Sequence, residues 1–549
     1  MIKRTKEKLY PVLLILFAVI FSVPQFMESG IPYYGHDTIF HLTRLTGFSN
    51  VLTSPVNYFL VHTGSLVNIF YPWLTMYPMW LFYKLTGSYV TGYNVYILVL
   101  SIITALISYV YVRAMTKSSD SAFCCSMIYT FSSYRFMDIY LRTAMGEAIS
   151  MAFLPVVIYG IWLILYDDHK KWQILSIGMA MIAYSHLLSL YLTSIILVLM
   201  ILLSLKNINE KASRALSFIK SVILAVLLSA GFLLPLLSNM IRQKLYRPDG
   251  SSELFSANAC DLLYYFRNSL FNYFTPYSIG LLILTVMIAD LVIIIKNKKK
   301  CGSFTLLITV IGVCFLFIVS LMVPWNRLAV FPFIRLIQFQ WRLLLYTTLF
   351  ISVSFGILMT YIKNGKVRIS IVIFTPVFCL MVFILSIYRF KDEEPFYMVT
   401  DDFLNSDLIV DSNDYTPIEL YEYREANNFE YLYLYHGGEM ITPYIADNGN
   451  ALFFYIPNIK TGEEIELPVC NFAYTKVMLN GNEVKTTSSS RGTIIISSDS
   501  DSDAEIIVTN RYDAITYLSW LISLISAVLT AVYFFKRIRY RDYNNQHND

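Results

Sequence analysis

Tyr10-Pro-Val-Leu-Leu-Ile-Leu-Phe-Ala-Val-Ile-Phe-Ser-Val-Pro-Gln-Phe26 is an apolar run of spanning length, preceded by Lys3, Arg4, Lys6 and Lys8. The basic flank has the look of a secretory n-region. No small-residue cleavage site follows it, and many more apolar runs do. The segment therefore reads as a retained first membrane helix whose basic end faces the cytoplasm. That reading decides the rest: the connection 27–88 lies outside, and the chain then alternates across a bilayer.

The chain has 549 residues, 56% of them hydrophobic and 15% charged, which excludes an ordinary soluble globular protein. Apolar runs recur near 10–26, 89–112, 119–133, 148–166, 173–186, 188–205, 217–237, 277–295, 303–323, 343–362, 369–388 and 514–535. They predict about 12 spans, several too short to cross upright. One alternate set of connections carries Arg113 and Lys117, Lys170 and Lys171, Lys206 to Arg214, Lys296 to Lys300, and Lys363 to Arg368. With the basic N-terminus and the tail Lys536 to Arg541, these fall on one side if the count is even. The expectation is a multi-pass cell-membrane protein with both termini cytoplasmic. The bilayer is a partner, and nucleic acid is not.

The opposite connections are long and aromatic: 27–88, 132–147, 238–276, 324–342 and 391–513. Within the first, Leu66 to Leu85 is apolar but interrupted by Pro72 and Pro78. It reads as an interfacial or re-entrant element, because another span would reverse every later loop. Between Lys391 and Asp513 the pattern changes to short runs rich in tyrosine and β-branched residues: Tyr431–His436, Ala451–Ile456, Glu463–Cys470, Lys476–Leu479, Gly492–Ser497 and Ala504–Thr509. Asn480-Gly481 between two of them predicts a tight hairpin. The predicted organisation is a mainly α, polytopic helical bundle over 1–390, an extracytoplasmic β-sandwich-type domain over 391–513, and a last span with a basic tail over 514–549. The acidic run Asp499-Ser-Asp501-Ser-Asp503 lacks the glycine and terminal glutamate of a calcium loop and reads as a solvated turn. Of seven cysteines, Cys124, Cys125, Cys314 and Cys379 lie in apolar runs as small hydrophobes; Cys260 and Cys470 face outward, and their pairing is left open.

Three outward features carry chemistry. In Gly35-His36-Asp37-Thr38-Ile39-Phe40-His41-Leu42-Thr43-Arg44, helical spacing puts Asp37, His41 and Arg44 on one face, with Ile39, Leu42 and Thr46 opposite. Asp37 is then either the N-cap of an interfacial helix, with Arg44 snorkelling to headgroups, or a general base or metal-binding carboxylate. Arg135 to Glu147 brings Asp138 and Arg142 at i,i+4 spacing, where a simple ion pair is the alternative, and Glu147 at a helix start. Gln338-Phe339-Gln340-Trp341-Arg342 begins another span, as an aromatic belt or as a phosphate-holding helix start. His186, at a turn between two short spans, is a further candidate beside the plainer reading of a packed or capping histidine. Acids in two outer loops and arginines in a third suit a hydroxyl nucleophile meeting a lipid-borne phosphate.

Gly35 to Arg44, Arg142-Thr-Ala-Met-Gly146-Glu147 and Gln338 to Arg342, with Asp414-Tyr-Thr-Pro417 and Leu479-Asn-Gly481, resemble a bacterial family of polytopic membrane proteins. That family is labelled 6-pyruvoyl-tetrahydropterin-synthase-related and is akin to YfhO-type membrane glycosyltransferases; it usually has proline where Gln340 stands. The pterin label finds no zinc-binding histidine set among seven dispersed histidines. The broader resemblance is to GT-C glycosyltransferases. It implies a polyprenyl-phosphate-linked sugar donor and an envelope glycan or polymer acceptor at the extracytoplasmic face. By position it implies Asp37, Glu147 and Asp138 as catalytic acids, and His36, His41, Arg44, Arg142, His186, Gln338, Trp341 and Arg342 as substrate contacts. Mg2+ or Mn2+, if an ion takes part, would be held by Asp37 and Glu147. The rival readings are a lipid or polysaccharide transporter or flippase, and a non-catalytic scaffold of envelope assembly.

Overall fold

A computed structural model describes the chain except residues 1, 35–36, 248–257, 392, 406–412, 428–431, 446–448 and 548–549, and except the side chains of 2–4 and 538–547. Among the described residues, seven helices are long and apolar enough to cross a membrane, or eight if Lys211–Leu228 and Ala230–Arg242 form one span. The chain is a multi-pass membrane protein with a β-rich region before its last helix. Four predicted spans come out shorter than a bilayer-crossing helix: Ser119–Thr130, Gln173–Ala183, Gly280–Lys296 and Ser303–Ile318. Ser119–Thr130 ends early because Ser132 caps a new helix, its Oγ accepting from the Arg135 amide.

The chain falls into two compact units, 1–38 with 81–226 and 249–400, and 39–80 with 227–248 and 401–549. This differs from the sequence-based division. The greater part of the first outward connection goes with the β-rich region rather than with the bundle of 1–390.

In the first unit the core is built on Met145–Tyr166 and Leu343–Leu358; in the latter every side chain but Ile357 is buried. Met145–Tyr166 lies close against Gln173–Ala183 because a glycine faces the partner on each. A Cβ on Gly160 would come within 2.6 Å of the Leu175 backbone, and one on Gly178 would crowd Val157. At one end of the bundle, Asp120 accepts from Lys6 Nζ at 2.8 Å and Tyr10 Oη at 2.6 Å, with Arg368 Nε 3.5 Å away. Arg113 pairs with Glu7 nearby in the chain order of the same helices. Basic residues of the N-terminal segment and of two connections thus gather at one end. A two-stranded ribbon pairs Ile31–Tyr33 with Tyr397–Val399.

In the second unit the alternating pattern forms two larger antiparallel sheets, besides a two-stranded pairing of Leu434–His436 with Glu439–Ile441. The five-stranded one runs Tyr444–Ile445, Ala451–Ile459, Ser502–Asn510, Thr475–Leu479, Asn482–Val484; the three-stranded one runs Thr487–Ser488, Thr493–Ser497, Glu464–Cys470. Leu452, Phe454 and Ile456 point to the buried face while Phe453 and Tyr455 are exposed, the period of two that the sequence displays. Asn480 and Gly481 both take positive φ (48° and 82°), the turn that a two-residue hairpin requires. Leu434–His436 is also a strand; Tyr431, included in that expectation, lies outside the described residues. Asp501 accepts from the Thr461 amide and hydroxyl, and Asp503 from Tyr455 Oη and the Asn458 amide. The acidic run therefore pins a loop. The connection 39–80 is stitched to the sheets through Asn50 Nδ2 to the Gly449 carbonyl (2.8 Å), the Cys470 amide to the Thr63 carbonyl (2.7 Å) and Ser65 Oγ to the Asp414 carbonyl (2.6 Å). Ala230–Arg242 lies along the last helix, with Trp520 Nε1 donating to the Gly231 carbonyl at 3.1 Å. All seven cysteines are free thiols, Cys260 and Cys470 included.

Candidate active site

Two short stretches and one distant helix start build a buried ion cluster in the first unit. Ser133–Tyr140 carries Asp138 on its inner face, and Met145–Tyr166 carries Glu147 in its first turn. Between them the chain reverses through Thr143, whose φ of +52° is rare for a β-branched residue. The turn is closed by the Ala144 amide on the Asp138 carbonyl at 2.9 Å, and it returns Glu147 to the same place as Asp138 and Arg142. Such a backbone outlier persists only where its surroundings hold it. Here Thr143 Oγ1 and Thr38 Oγ1 share a hydrogen bond of 2.8 Å.

Arg142 Nη1 donates to Asp138 Oδ1 at 2.5 Å and to Glu147 Oε2 at 3.1 Å. Arg342 Nε donates to the same Glu147 oxygen at 3.3 Å, and its Nη1 to Gln338 Oε1 at 2.7 Å. Tyr134 Oη donates to Glu147 Oε1 at 2.7 Å. Trp341 lies under the Arg142 guanidinium, 4.3 Å from carbon to ring centre, and Phe339 under that of Arg342 at 5.2 Å. All four charged residues are buried. Burial and the Glu147 charge push the Asp138 carboxyl well above the usual carboxylate range, against the pull of Arg142. Burial works against the Arg142 charge, but Glu147 and Asp138 together hold that guanidinium charged.

Asp37 stands at the rim. It is half-buried, it precedes the helix Thr38–Thr46, and its amide donates to the Arg142 carbonyl at 3.0 Å. One backbone bond thus ties the first outer loop to the buried cluster. His186 stands at the N-cap position of Leu187–Ser204 without a side-chain capping bond, and its Nδ1 meets Ser189 Oγ at 2.8 Å; Ser189 in turn meets Ser150, one turn past Glu147. Burial, then the Arg342 charge, hold this imidazole down to about 3, so it is neutral at physiological pH.

The structure thus brings Asp138, Arg142, Glu147, Gln338, Trp341, Arg342 and His186 together, with Asp37 tied to them. His36 lies outside the described residues. His41 and Arg44 belong to the other unit, and here the amphipathic expectation fails: Ile39, Leu42, His41 and Arg44 are all buried. Arg44 does not snorkel. Its Nε donates to Asn68 Oδ1 at 3.0 Å, and its Nη2 to the carbonyls of Tyr71 (2.7 Å) and Pro72 (3.1 Å), with the Phe48 and Tyr71 rings beside it. The proline break predicted at Pro72 is the cause, since an interrupted helix leaves carbonyls that a buried guanidinium can satisfy. Arg44→Met should cost about 1–3 kcal/mol by leaving those carbonyls unpaired. Thermal melting reads this. A raised KM with an unchanged melt would instead make Arg44 a substrate contact.

Tyr134 is the residue that sequence reading misses. A tyrosine among 42, aimed at a carboxylate thirteen positions on, has no local signature. The expected metal pair also fails a chemical test. Glu147 gives both oxygens to one hydroxyl and two guanidinium groups, an electropositive surrounding that disfavours a cation. Among the described residues, no group of three or more His, Cys, Asp or Glu side chains gathers as a metal-binding set.

No protein-family model matches this chain, and no curated protein matches it. Among solved structures, the crystal structure of ArnT from Cupriavidus metallidurans bound to undecaprenyl phosphate is similar over 63% of this chain and 77% of its own, at 10% sequence identity and a TM-score of 0.30. A likeness of that degree assigns no chemistry to these residues.

Proposed function

We propose that the chain is a GT-C-like membrane glycosyltransferase that moves a sugar from a polyprenyl-phosphate donor to an envelope glycan or polymer at the extracytoplasmic face, with both termini cytoplasmic. The observation that carries this reading is the buried cluster of two guanidinium and two carboxyl groups, tied by its backbone to the half-buried Asp37. Its placement favours transfer over transport. Glu147 and Arg342 sit at helix starts, where a headgroup is reached, rather than along a path through the bundle.

In this reading the acceptor hydroxyl oxygen attacks the anomeric carbon as the bond from that carbon to the phosphate oxygen breaks. The phosphate leaves with the bonding electron pair, and Asp37 takes the acceptor proton. Arg142 and Arg342 offset the charge gathering on the departing phosphate. Glu147, its oxygens already engaged, holds those two guanidinium groups in place and is a positioning residue rather than the acid first expected. No step passes through a metal ion. The β-rich region serves as the acceptor-binding part.

Purified protein incubated with a panel of polyprenyl-phosphate sugars and envelope glycans tests the proposal. Release of lipid phosphate with matching sugar transfer, unaffected by a chelator, is the expected result. A panel that yields neither lipid phosphate nor product overturns it in favour of the scaffold, and movement of intact donor across a vesicle overturns it in favour of the flippase.

A further inference from the structure

The five-stranded sheet buries one face and leaves the other open. Along Ala451–Ile459 the outward positions carry rings, Phe453 being 38% exposed and Tyr455 55%. The register continues that stripe across the sheet. Tyr444, 61% exposed, pairs opposite Phe453; Ile507 lies on the other side of Phe453, and Met478 follows beyond Ile507. Residues in register on adjacent strands share a face, so these four side chains stand in one line about 14 Å long. The Tyr444 and Phe453 ring centres are 6.0 Å apart. Tyr455, next on the same face of its strand, is held in place by its Oη, which donates to Asp503 Oδ2 at 2.6 Å. An exposed apolar line of this kind marks an interaction surface.

The border of the stripe selects what lies on it. Glu505 is opposite Tyr455, Asp503 holds the Tyr455 hydroxyl, and at the far end Glu483 is opposite Met478 and pairs with Lys476 at 3.0 Å. Three exposed carboxylates against one ammonium make the border acidic, which repels anionic headgroups and phosphate-bearing polymers. A two-fold partner copy would set the same acids against one another. A hexose carries C–H bonds on the faces of its ring and hydroxyls around its edge. The C–H face stacks on the electron-rich face of an aromatic ring, and carboxylates accept from the hydroxyls. An aromatic stripe bordered by carboxylates offers both at once. The Tyr455 ring is fixed before anything binds, so stacking on it orders little.

We propose that this face of the five-stranded sheet binds a glycan chain free of anionic groups, laid along Tyr444, Phe453 and Ile507 with Tyr455 stacking beside them. On the transfer reading above, on which this assignment rests, the face is where the β-rich region receives the acceptor, and the acceptor is a neutral or amine-bearing polysaccharide.

The test is binding of the full-length protein, in a detergent without a sugar headgroup and with no donor present, to arrayed polysaccharides. Glucan, mannan, chitin oligomers and their deacetylated form stand against polyglycerol phosphate and polygalacturonate. The expected result is binding to at least one of the first group and to neither polyanion. Phe453→Thr and Tyr455→Thr put a strand-forming residue at an exposed position, which preserves the sheet. Each should weaken binding about 3- to 10-fold, and the pair about 10- to 100-fold, as loss of one or two stacking rings implies. Tyr455→Phe keeps the ring and should bind nearly as well as the wild type. A wild-type protein that binds no neutral or amine-bearing glycan overturns the proposal, as does a preference for the polyanions or undiminished binding by the double variant. A wild-type dimer that the double variant loses in analytical ultracentrifugation also overturns it, because a second copy then covers the face. Glycan binding without sugar transfer would keep the surface and remove the transferase. Transfer by the double variant at the wild-type acceptor KM would remove the surface alone.

Discussion

Asp37→Asn protein is expected to fold and melt like the wild type and to lose sugar transfer by about 100- to 10,000-fold, the span typical of a missing general base. The side chain is half-buried at the rim, and the tie to the cluster runs through the Asp37 amide on the Arg142 carbonyl, which asparagine retains. What disappears is only the capacity to accept a proton. Transfer and lipid phosphate release, followed together, should fall together while donor binding persists. Full activity in the asparagine protein would remove Asp37 from the chemistry and leave the N-cap reading standing. A lost activity accompanied by a lowered melting temperature would point to a structural role instead.

Glu147→Gln carries the largest expected effect on stability. Among the described residues, Glu147 is the one carboxylate that meets both Arg142 and Arg342, at 3.1 and 3.3 Å, and it also accepts from Tyr134. Removing one partner of a buried ionic network leaves the others uncompensated, at a cost of about 3–5 kcal/mol. Arg142 would retain Asp138, but Arg342 would keep the Gln338 side chain and the Ile337 carbonyl, and would compete with Arg142 and Tyr134 for a single neutral amide oxygen. Glutamine also turns an amide N–H₂ toward donors. Chemical and thermal unfolding in detergent measure the loss. An unchanged unfolding midpoint would mean that solvent or lipid already satisfies the two arginines, and the cluster would then be an open site rather than a closed framework.

These two residues differ in how far the chain's order announces them. Asp37 and its neighbours catch the eye because an acid, two histidines and an arginine crowd one short outward segment, yet only the folded chain separates them. Arg44 turns into a structural cation because Pro72 frees carbonyls near it. The amphipathic spacing was real as a pattern, but burial on both faces overrode it.

What the sequence by itself determined is local or additive. Apolar runs of spanning length, strand alternation and the Asn480-Gly481 hairpin each depend on near neighbours or on composition, and each is present in the fold. What only the tertiary structure decided is long-range closure. The Arg342–Glu147 pair joins residues 195 positions apart, Thr63 of the connection 39–80 accepts from the strand residue Cys470 more than 300 residues later, and Tyr134 finds its carboxylate only after a strained turn at Thr143. Periodicity along a chain says which face of a segment is apolar. It does not say which other segment will supply the partner for a buried charge, because that choice is made by the packing of whole helices and not by spacing along any one of them.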